Sequence, residues 1–219
     1  MIRSHFDEDL KQLHREIVDM GSFVETAIAS AVTALKSYDV ERCKEIIESD
    51  KKVDEMERKI ESQCLWLIAR QQPVASDLRQ ITTALKIITD MERIGDHASD
   101  IASLAIRITD RSFFPESEMI FEMAAAAIDM VNSAVMSYVN YDMELAKATE
   151  EKDDIVDDYF NKVKHYLADV FSTQPHRMDV AIDYLLVAKY LERIGDHAVN
   201  ICEWVHFSQT GEHKSTKIF

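Results

Sequence analysis

The chain has 219 residues, and 40 Asp and Glu against 25 Lys and Arg give it a formal charge of −15. Such a charge repels nucleic acid and anionic membrane surfaces, which argues against a nucleic-acid-binding protein. Only 4 glycines and 3 prolines occur, whereas average usage would give roughly 15 and 11. Few turn-forming residues predict few turns and therefore long helices.

The first half of the chain reads as three helices. Apolar residues recur every three or four positions in the first segment, which predicts an amphipathic helix. Asp39 follows it and is a plausible N-cap for the second helix. Pro73 ends the second helix, because proline removes a helical hydrogen bond. The predicted helices run over Phe6–Leu35, from about Val40 to Arg70, and from beyond Pro73 to about Thr109.

The second half of the chain repeats this plan. A break at Ser172–Pro175 corresponds to the break before Pro73. A polar tail, 208–219, follows the last helix, and we expect it to be loosely held. The predicted helices run from about Pro115 to Asn140, from about Asp142 to Phe171, and from beyond Pro175 to about Phe207.

Matched motifs show that the chain contains an internal duplication. The heptapeptide Glu-Arg-Ile-Gly-Asp-His-Ala occupies both 92–98 and 192–198. The turn sequence at 38–41 is matched at 141–144, with one substitution in four residues. Such similarity at a fixed spacing is the signature of a repeated structural unit.

These patterns predict an all-α fold of two tandem three-helix bundle repeats that form an elongated six-helix protein. We place the domain boundary within 110–115, so that the first repeat covers 1–112, the second covers 113–208 and the tail covers 209–219. Two units packed together are favoured over one continuous bundle with a merged core.

The heptapeptide places carboxylates beside the buried face of its helix. At about 100° per residue, Gly95 lies near the centre of the buried face, where it favours close approach by a neighbouring helix. Glu92, Asp96 and Asp100 line one edge of that face. In the sixth helix, this edge carries Glu192, Asp196 and Asn200.

Carboxylates on the preceding helices complete two candidate metal sites. Acids four residues apart repel each other, and a cation held by their hard oxygen ligands would remove that repulsion. The alternative is an ordinary solvated acidic face. The candidate ligands are Asp50, Asp54, Glu92, Asp96 and Asp100 in the first repeat, and Asp153, Asp157, Glu192 and Asp196 in the second.

Other residues of the motif suggest simpler roles. His97 and His197 project outward, which predicts exposed or partner-facing imidazoles. Arg93 and Arg193 are expected to pair with neighbouring carboxylates. A carboxylate-bridged di-iron enzyme would need two Glu-x-x-His motifs, and only Glu203-x-x-His206 occurs, so the enzyme interpretation is weak.

The remaining sequence features indicate a cytoplasmic protein. The 3 cysteines show no Cys-x-x-Cys spacing, which favours reduced thiols over disulfides or a zinc site. The first residues contain no apolar signal region. No segment approaches 18 consecutive apolar residues, so we expect no membrane-spanning helix.

The tandem repeat, with Asp-x-x-x-Asp on the second helix and Glu-Arg-Ile-Gly-Asp on the third, resembles the PhoU family of phosphate-uptake regulators over about residues 5–208. The resemblance implies a cytoplasmic protein that is not an enzyme. It implies a link between the ATPase subunit of the phosphate ABC transporter and a sensor histidine kinase, which keeps phosphate-starvation genes off and restrains phosphate uptake.

The resemblance also implies homodimers and, as in some members of the family, multinuclear iron or zinc clusters held by the acidic motifs. Another divalent cation is an alternative to iron or zinc, because oxygen ligands suit several metals. The alternative function is a metal-binding or storage bundle, or a carboxylate-bridged metalloenzyme. Asn200 in place of an acid predicts two sites that differ in affinity or metal content.

Overall fold

The computed structural model of the chain describes residues 2–108, 118–213 and 216–217. Within these ranges the backbone forms seven α-helices, a single 3₁₀ turn and a two-stranded antiparallel hairpin. The predicted domain boundary at 110–115 lies outside the described residues. The elements are α1 (Ile2–Ser37), α2 (Val40–Gln71), α3 (Ala75–Arg107), α4 (Glu118–Asn140), α5 (Met143–Glu150), α6 (Asp153–Thr173), the 3₁₀ turn (Pro175–Arg177), α7 (Met178–Thr210), β1 (Glu212–His213) and β2 (Thr216–Lys217).

The all-α fold with two repeats is confirmed, with two differences in detail. The predicted fifth helix is divided at Glu151–Lys152 into α5 and α6. At this break, Lys152 Nζ lies 2.5 Å from Asp129 Oδ2 on α4. The last helix runs to Thr210, and the hairpin that follows gives part of the expected loose tail a defined structure.

The turn between the first two helices of each repeat has the same geometry. Tyr38 and Tyr141 adopt left-handed backbone conformations with φ of 55° and 56°. The next residue in each repeat caps the following helix: Asp39 accepts a hydrogen bond from the backbone of Arg42, and Asp142 accepts one from that of Leu145. The prediction of Asp39 as an N-cap is therefore confirmed.

The two repeats share one core. Helices α3 and α7 lie antiparallel, with Arg107 Nη2 2.9 Å from Asp183 Oδ1 at one end. Thr83 Oγ1 donates to the carbonyl of Trp204, 3.4 Å away, towards the other end. The buried apolar side chains of both repeats belong to a single cluster, so a merged core is observed where two units packed together were favoured.

Helices α1 and α4 are more apolar than the sequence analysis recognised. Over Phe6–Ser37 and Met119–Asn140, the mean hydropathy of the best window reaches 1.3 and 1.4, so both are long and apolar enough to cross a membrane. Counting only consecutive apolar residues did not single out these two helices, and their composition does not by itself overturn the expectation of no membrane-spanning helix. Their inward side chains, such as Ile17 and Val131, are fully buried in the bundle, which is the position of core helices.

Gly95 and Gly195 permit close helix packing, as predicted. A Cβ atom at Gly95 would lie 3.1 Å from both Cγ atoms of Val53 and 3.4 Å from Asp50 Oδ1. At Gly195 it would lie 3.1 Å from Asp153 Oδ1 and 3.4 Å from the nearest Cγ of Val156. The neighbouring helix therefore contacts the helix backbone at both glycines.

We expect Gly95→Ala to destabilise the protein by about 1 kcal/mol. Alanine gains about 1 kcal/mol in helix propensity over glycine, but the free-energy cost of packing its methyl group against the stiff side chain of Val53 is larger. Gly195→Ala should be neutral or stabilising, since its nearest contact is the movable end of a carboxylate. Urea unfolding of both variants measures the difference, and Gly95→Ala/Val53→Ala is the rescue control. A larger loss for Gly195→Ala would contradict this account of the packing.

Candidate acidic clusters

The first acidic cluster lies where α2 packs on α3. Asp50 is half-buried beside Gly95, with its Oδ1 directed at the glycine. Burial, followed by the charges of Asp96, Asp54 and Asp100, raises the pKa of Asp50 from 3.8 to about 6. The structure thus brings acids of both helices together, as the motif spacing predicted.

Arg93 partly balances the charge of this cluster. Its Nε lies 3.3 Å from Glu92 Oε2, and its Nη1 donates to Asp96 Oδ2 at 2.9 Å. Burial and the charge of Asp96 nevertheless raise the pKa of Glu92. The predicted pairing of Arg93 with carboxylates is confirmed, and one arginine serves two of the cluster's acids.

The second cluster repeats the arrangement where α6 packs on α7. Burial, followed by the charges of Asp157, Asp196 and Glu192, raises the pKa of Asp153 from 3.8 to about 6. Burial and Glu192 also raise the pKa of Asp196. In this repeat Lys189 donates a hydrogen bond to Glu192, so a lysine on the preceding turn contacts the cluster.

Asn200 does not take the place of Asp100 in the second cluster. Its Nδ2 donates to Asp90 Oδ1 across the α3–α7 interface at 3.3 Å. Asp100 instead stays near Asp50, whose pKa its charge helps to raise. The two clusters therefore differ in their contacts, while their difference in affinity or metal content stays a prediction.

The two histidines of the motif meet between α3 and α7. Their ring centroids lie 5.5 Å apart, and His97 also stacks on Tyr190 at 5.3 Å. His197 Nδ1 lies 2.8 Å from Asp90 Oδ1. The expectation of exposed or partner-facing imidazoles is wrong, because the two repeats pack against each other through this face.

Asp90 and Tyr190 are interface residues that the sequence analysis missed. They occupy equivalent positions, two residues before each heptapeptide. Because His97 contacts Tyr190 whereas His197 contacts Asp90, the pseudo-symmetric interface has two different halves. A comparison of the residues flanking the identical motifs could have drawn attention to this position.

The clusters fit a cation by donor chemistry. All nine candidate ligands offer carboxylate oxygens, which suit hard cations and are also accepted by zinc. In the part of the chain that the structure describes, no three His, Cys, Asp or Glu side chains are placed to hold a metal ion. Side-chain rotation would be needed for these acids to converge on one.

The Glu203-x-x-His206 pair does not join either acidic cluster. Glu203 Oε2 lies 3.8 Å from Nε2 of His213 in the C-terminal hairpin. The charge of His206 opposes the rise that burial causes in the pKa of Glu150, on the neighbouring α5. These contacts give no support to a di-iron centre built around this motif.

The fold and the paired acidic clusters define a duplicated all-α protein, and the same duplication is found in known proteins. The PhoU domain family matches residues 17–105 and 120–205, one match for each repeat. The chain is 36% identical over 213 residues to a phosphate-specific transport system accessory protein PhoU homolog from Clostridium acetobutylicum, covering 97% of each chain.

Solved structures agree with the sequence matches. PhoU from Pseudomonas aeruginosa is similar with a TM-score of 0.88 and 31% identity, over 94% of this chain and 100% of that one. The phosphate transport system regulatory protein PhoU from Streptococcus pneumoniae has a TM-score of 0.88 and 26% identity, over 95% and 98% of the two chains. The chain belongs to the PhoU family.

We expect Asp50→Asn and Asp153→Asn each to stabilise metal-free protein at pH 7 by about 1 kcal/mol, because solvent screening reduces the full effect of the pKa shift. The pKa of each aspartate in the folded state is raised from 3.8 to about 6. The stability that each protonated carboxyl contributes is therefore present below about pH 4 and is lost as the pH rises through about 6. At pH 4 the substitutions should change little.

Chelator-treated protein unfolded in urea across this pH range provides the measurement. Asp158→Asn is the matched control, because Asp158 is an exposed acid on α6. Destabilisation at pH 7 by either cluster substitution would show that the charged carboxylate helps to hold the native structure.

Proposed function

We propose that this protein is an accessory and negative regulator of phosphate uptake that also keeps the phosphate-starvation response off. It acts in the cytoplasm as an adaptor between the ATPase subunit of the phosphate ABC transporter and the sensor histidine kinase of the phosphate regulon. It functions as a homodimer, without binding nucleic acid and without inserting into the membrane.

The observation that carries this proposal is the PhoU domain match to both repeats. It is supported by relatives described as accessory and regulatory proteins of phosphate transport. The charge of −15 supports association with proteins that carry basic surfaces. A non-enzymatic role is favoured because the sequence contains no nucleophile elbow, P-loop or glycine-rich phosphate-binding loop.

The acidic clusters are proposed to bind iron or zinc. Asp50, Asp54, Glu92, Asp96 and Asp100 would hold the metal in the first repeat, and Asp153, Asp157, Glu192 and Asp196 in the second. The bound cation would neutralise the like charges that, after burial, raise the pKa of Asp50 and Asp153. A metal-storage function is the second candidate, and the same donor set supports it.

Deleting the gene should derepress phosphate-starvation genes in phosphate-rich medium by roughly tenfold, which is within the ordinary range of regulatory coupling. A reporter fused to a phosphate-starvation promoter measures the effect, and the intact gene supplied in trans is the control. Unchanged repression in the deletion strain would reject the regulatory role.

Asp96→Asn and Asp196→Asn should each lower the metal content of the purified protein while leaving its helicity almost unchanged. The reason is that each removes a charged oxygen ligand from a cluster at the edge of the core. Elemental analysis and circular dichroism of protein purified without chelators give the two readouts. Metal content equal to that of the wild type would argue that these acids are not ligands.

A further inference from the structure

A groove lined by acidic and aromatic side chains lies beside the first acidic cluster. It encloses about 510 Å³ between α2, α3, α7 and the C-terminal hairpin. One side is acidic and the opposite side is aromatic. The residues that define it are Glu57 and Glu61 on α2, Lys86 and Asp90 on α3, Trp204 on α7 and His213 on β1.

The acidic side combines a partly buried carboxylate with an exposed one. Glu57 accepts a hydrogen bond from Thr89 Oγ1 at 3.4 Å, and its pKa is raised mainly by burial. Glu61, one helical turn further along α2, is exposed. The two carboxylates therefore line one wall at two depths, where a cationic side chain could contact both.

The aromatic side is a fixed indole ring. The imidazole of His213 stacks on Trp204 with ring centroids 4.0 Å apart. The ammonium group of Lys86 lies 5.6 Å from the centroid of the Trp204 ring. The indole thus already has a cation within the range of a cation–π contact, and the stacked histidine restricts its rotation.

The duplication supplies an internal comparison for this groove. With the register that matches Asp54 to Asp157, Glu57 corresponds to Phe160 and Glu61 to Lys164. In the second repeat the ammonium groups of Lys164 and Lys189 lie 5.7 and 5.4 Å from the ring centroid of Phe160. The repeat fold therefore forms without an acidic wall at this place, so the acidic character of the first groove is not needed for folding.

We propose that this groove docks a basic segment of a partner protein, with a lysine or arginine side chain entering between the two glutamates and the Trp204 ring. The inference rests on the proposed adaptor function and assigns a place to one of its contacts. Charge complementarity favours a basic protein segment over nucleic acid, since the acidic wall and the chain's own charge of −15 repel polyanions.

The test uses full-length protein with two purified probes from the same organism: the ATPase subunit of the phosphate transporter and the cytoplasmic part of the sensor kinase. Binding is measured by calorimetry at low and high salt. Glu57→Gln/Glu61→Gln should weaken binding of at least one probe roughly tenfold and reduce its salt dependence. Trp204→Leu, which installs the residue found at the equivalent position 104, should also weaken it.

Lys164→Gln is the matched control, because it neutralises the residue equivalent to Glu61 on the other repeat and should leave binding unchanged. Thermal unfolding checks that each variant is folded, and Trp204→Phe replaces Trp204→Leu if the latter is not. A second readout uses Trp66→Phe, which leaves Trp204 as the sole tryptophan, and its fluorescence should change on binding.

Unaltered affinity of Glu57→Gln/Glu61→Gln for both probes would overturn the groove proposal, as would wild-type protein that binds neither probe. Variants that change only the self-association of the chain, seen by sedimentation, would overturn it in favour of a contact between copies. The regulatory role is judged separately by the deletion strain, so the groove can fail while that role stands.

Discussion

The structure depends on one repeated constraint, the contact of a helix with the backbone of its neighbour at Gly95 and at Gly195. Because glycine has no side chain, Val53 and Asp50 can approach α3, and Val156 and Asp153 can approach α7. The apolar member of each pair enters the core. The carboxylate is drawn into a half-buried position beside other acids, where its ionisation is opposed.

This packing explains why charges that repel each other occur at the edge of a well-packed core. A solvated acidic face would place its carboxylates away from the core, with little change in their pKa. In both repeats, instead, burial is the largest cause of the raised pKa, and neighbouring carboxylates add to it. The local basic residues offset only part of this charge. A site of this kind favours protonation, a bound cation or a basic partner.

The duplication has been retained in the backbone and changed in the side chains. The turns after α1 and α4 and the N-caps are the same in both halves, and equivalent valine and aspartate residues face the two glycines at different distances. The two halves of the α3–α7 interface differ. Asp90 contacts the side chains of His197 and Asn200, whereas the equivalent Tyr190 stacks on His97. Such divergence within one fold lets the two halves of the chain offer different surfaces, as an acidic groove in one repeat and a lysine–aromatic face in the other illustrate.

Much of this arrangement could be predicted from the sequence, because helical periodicity, Asp39 as a cap and Gly95 as a packing residue all depend on local pattern. The positions of His97 and His197 could not. A helical projection shows which residues lie outside the core-facing side of their own helix, but it does not show that a helix of the other repeat covers them. The division of α5 from α6 and the merged core likewise depend on contacts between segments far apart in the chain.

The most direct test of this account is the titration of the Asp50 and Asp153 carboxyl carbons by NMR in metal-free protein. Crowding at the two glycine contacts predicts a pKa of about 6 for both groups, and addition of a bound cation should abolish the titration in that range. A pKa near the ordinary 3.8 for both aspartates would contradict the account, since it would place them in solvent and remove the reason for a cation or a basic partner at these sites.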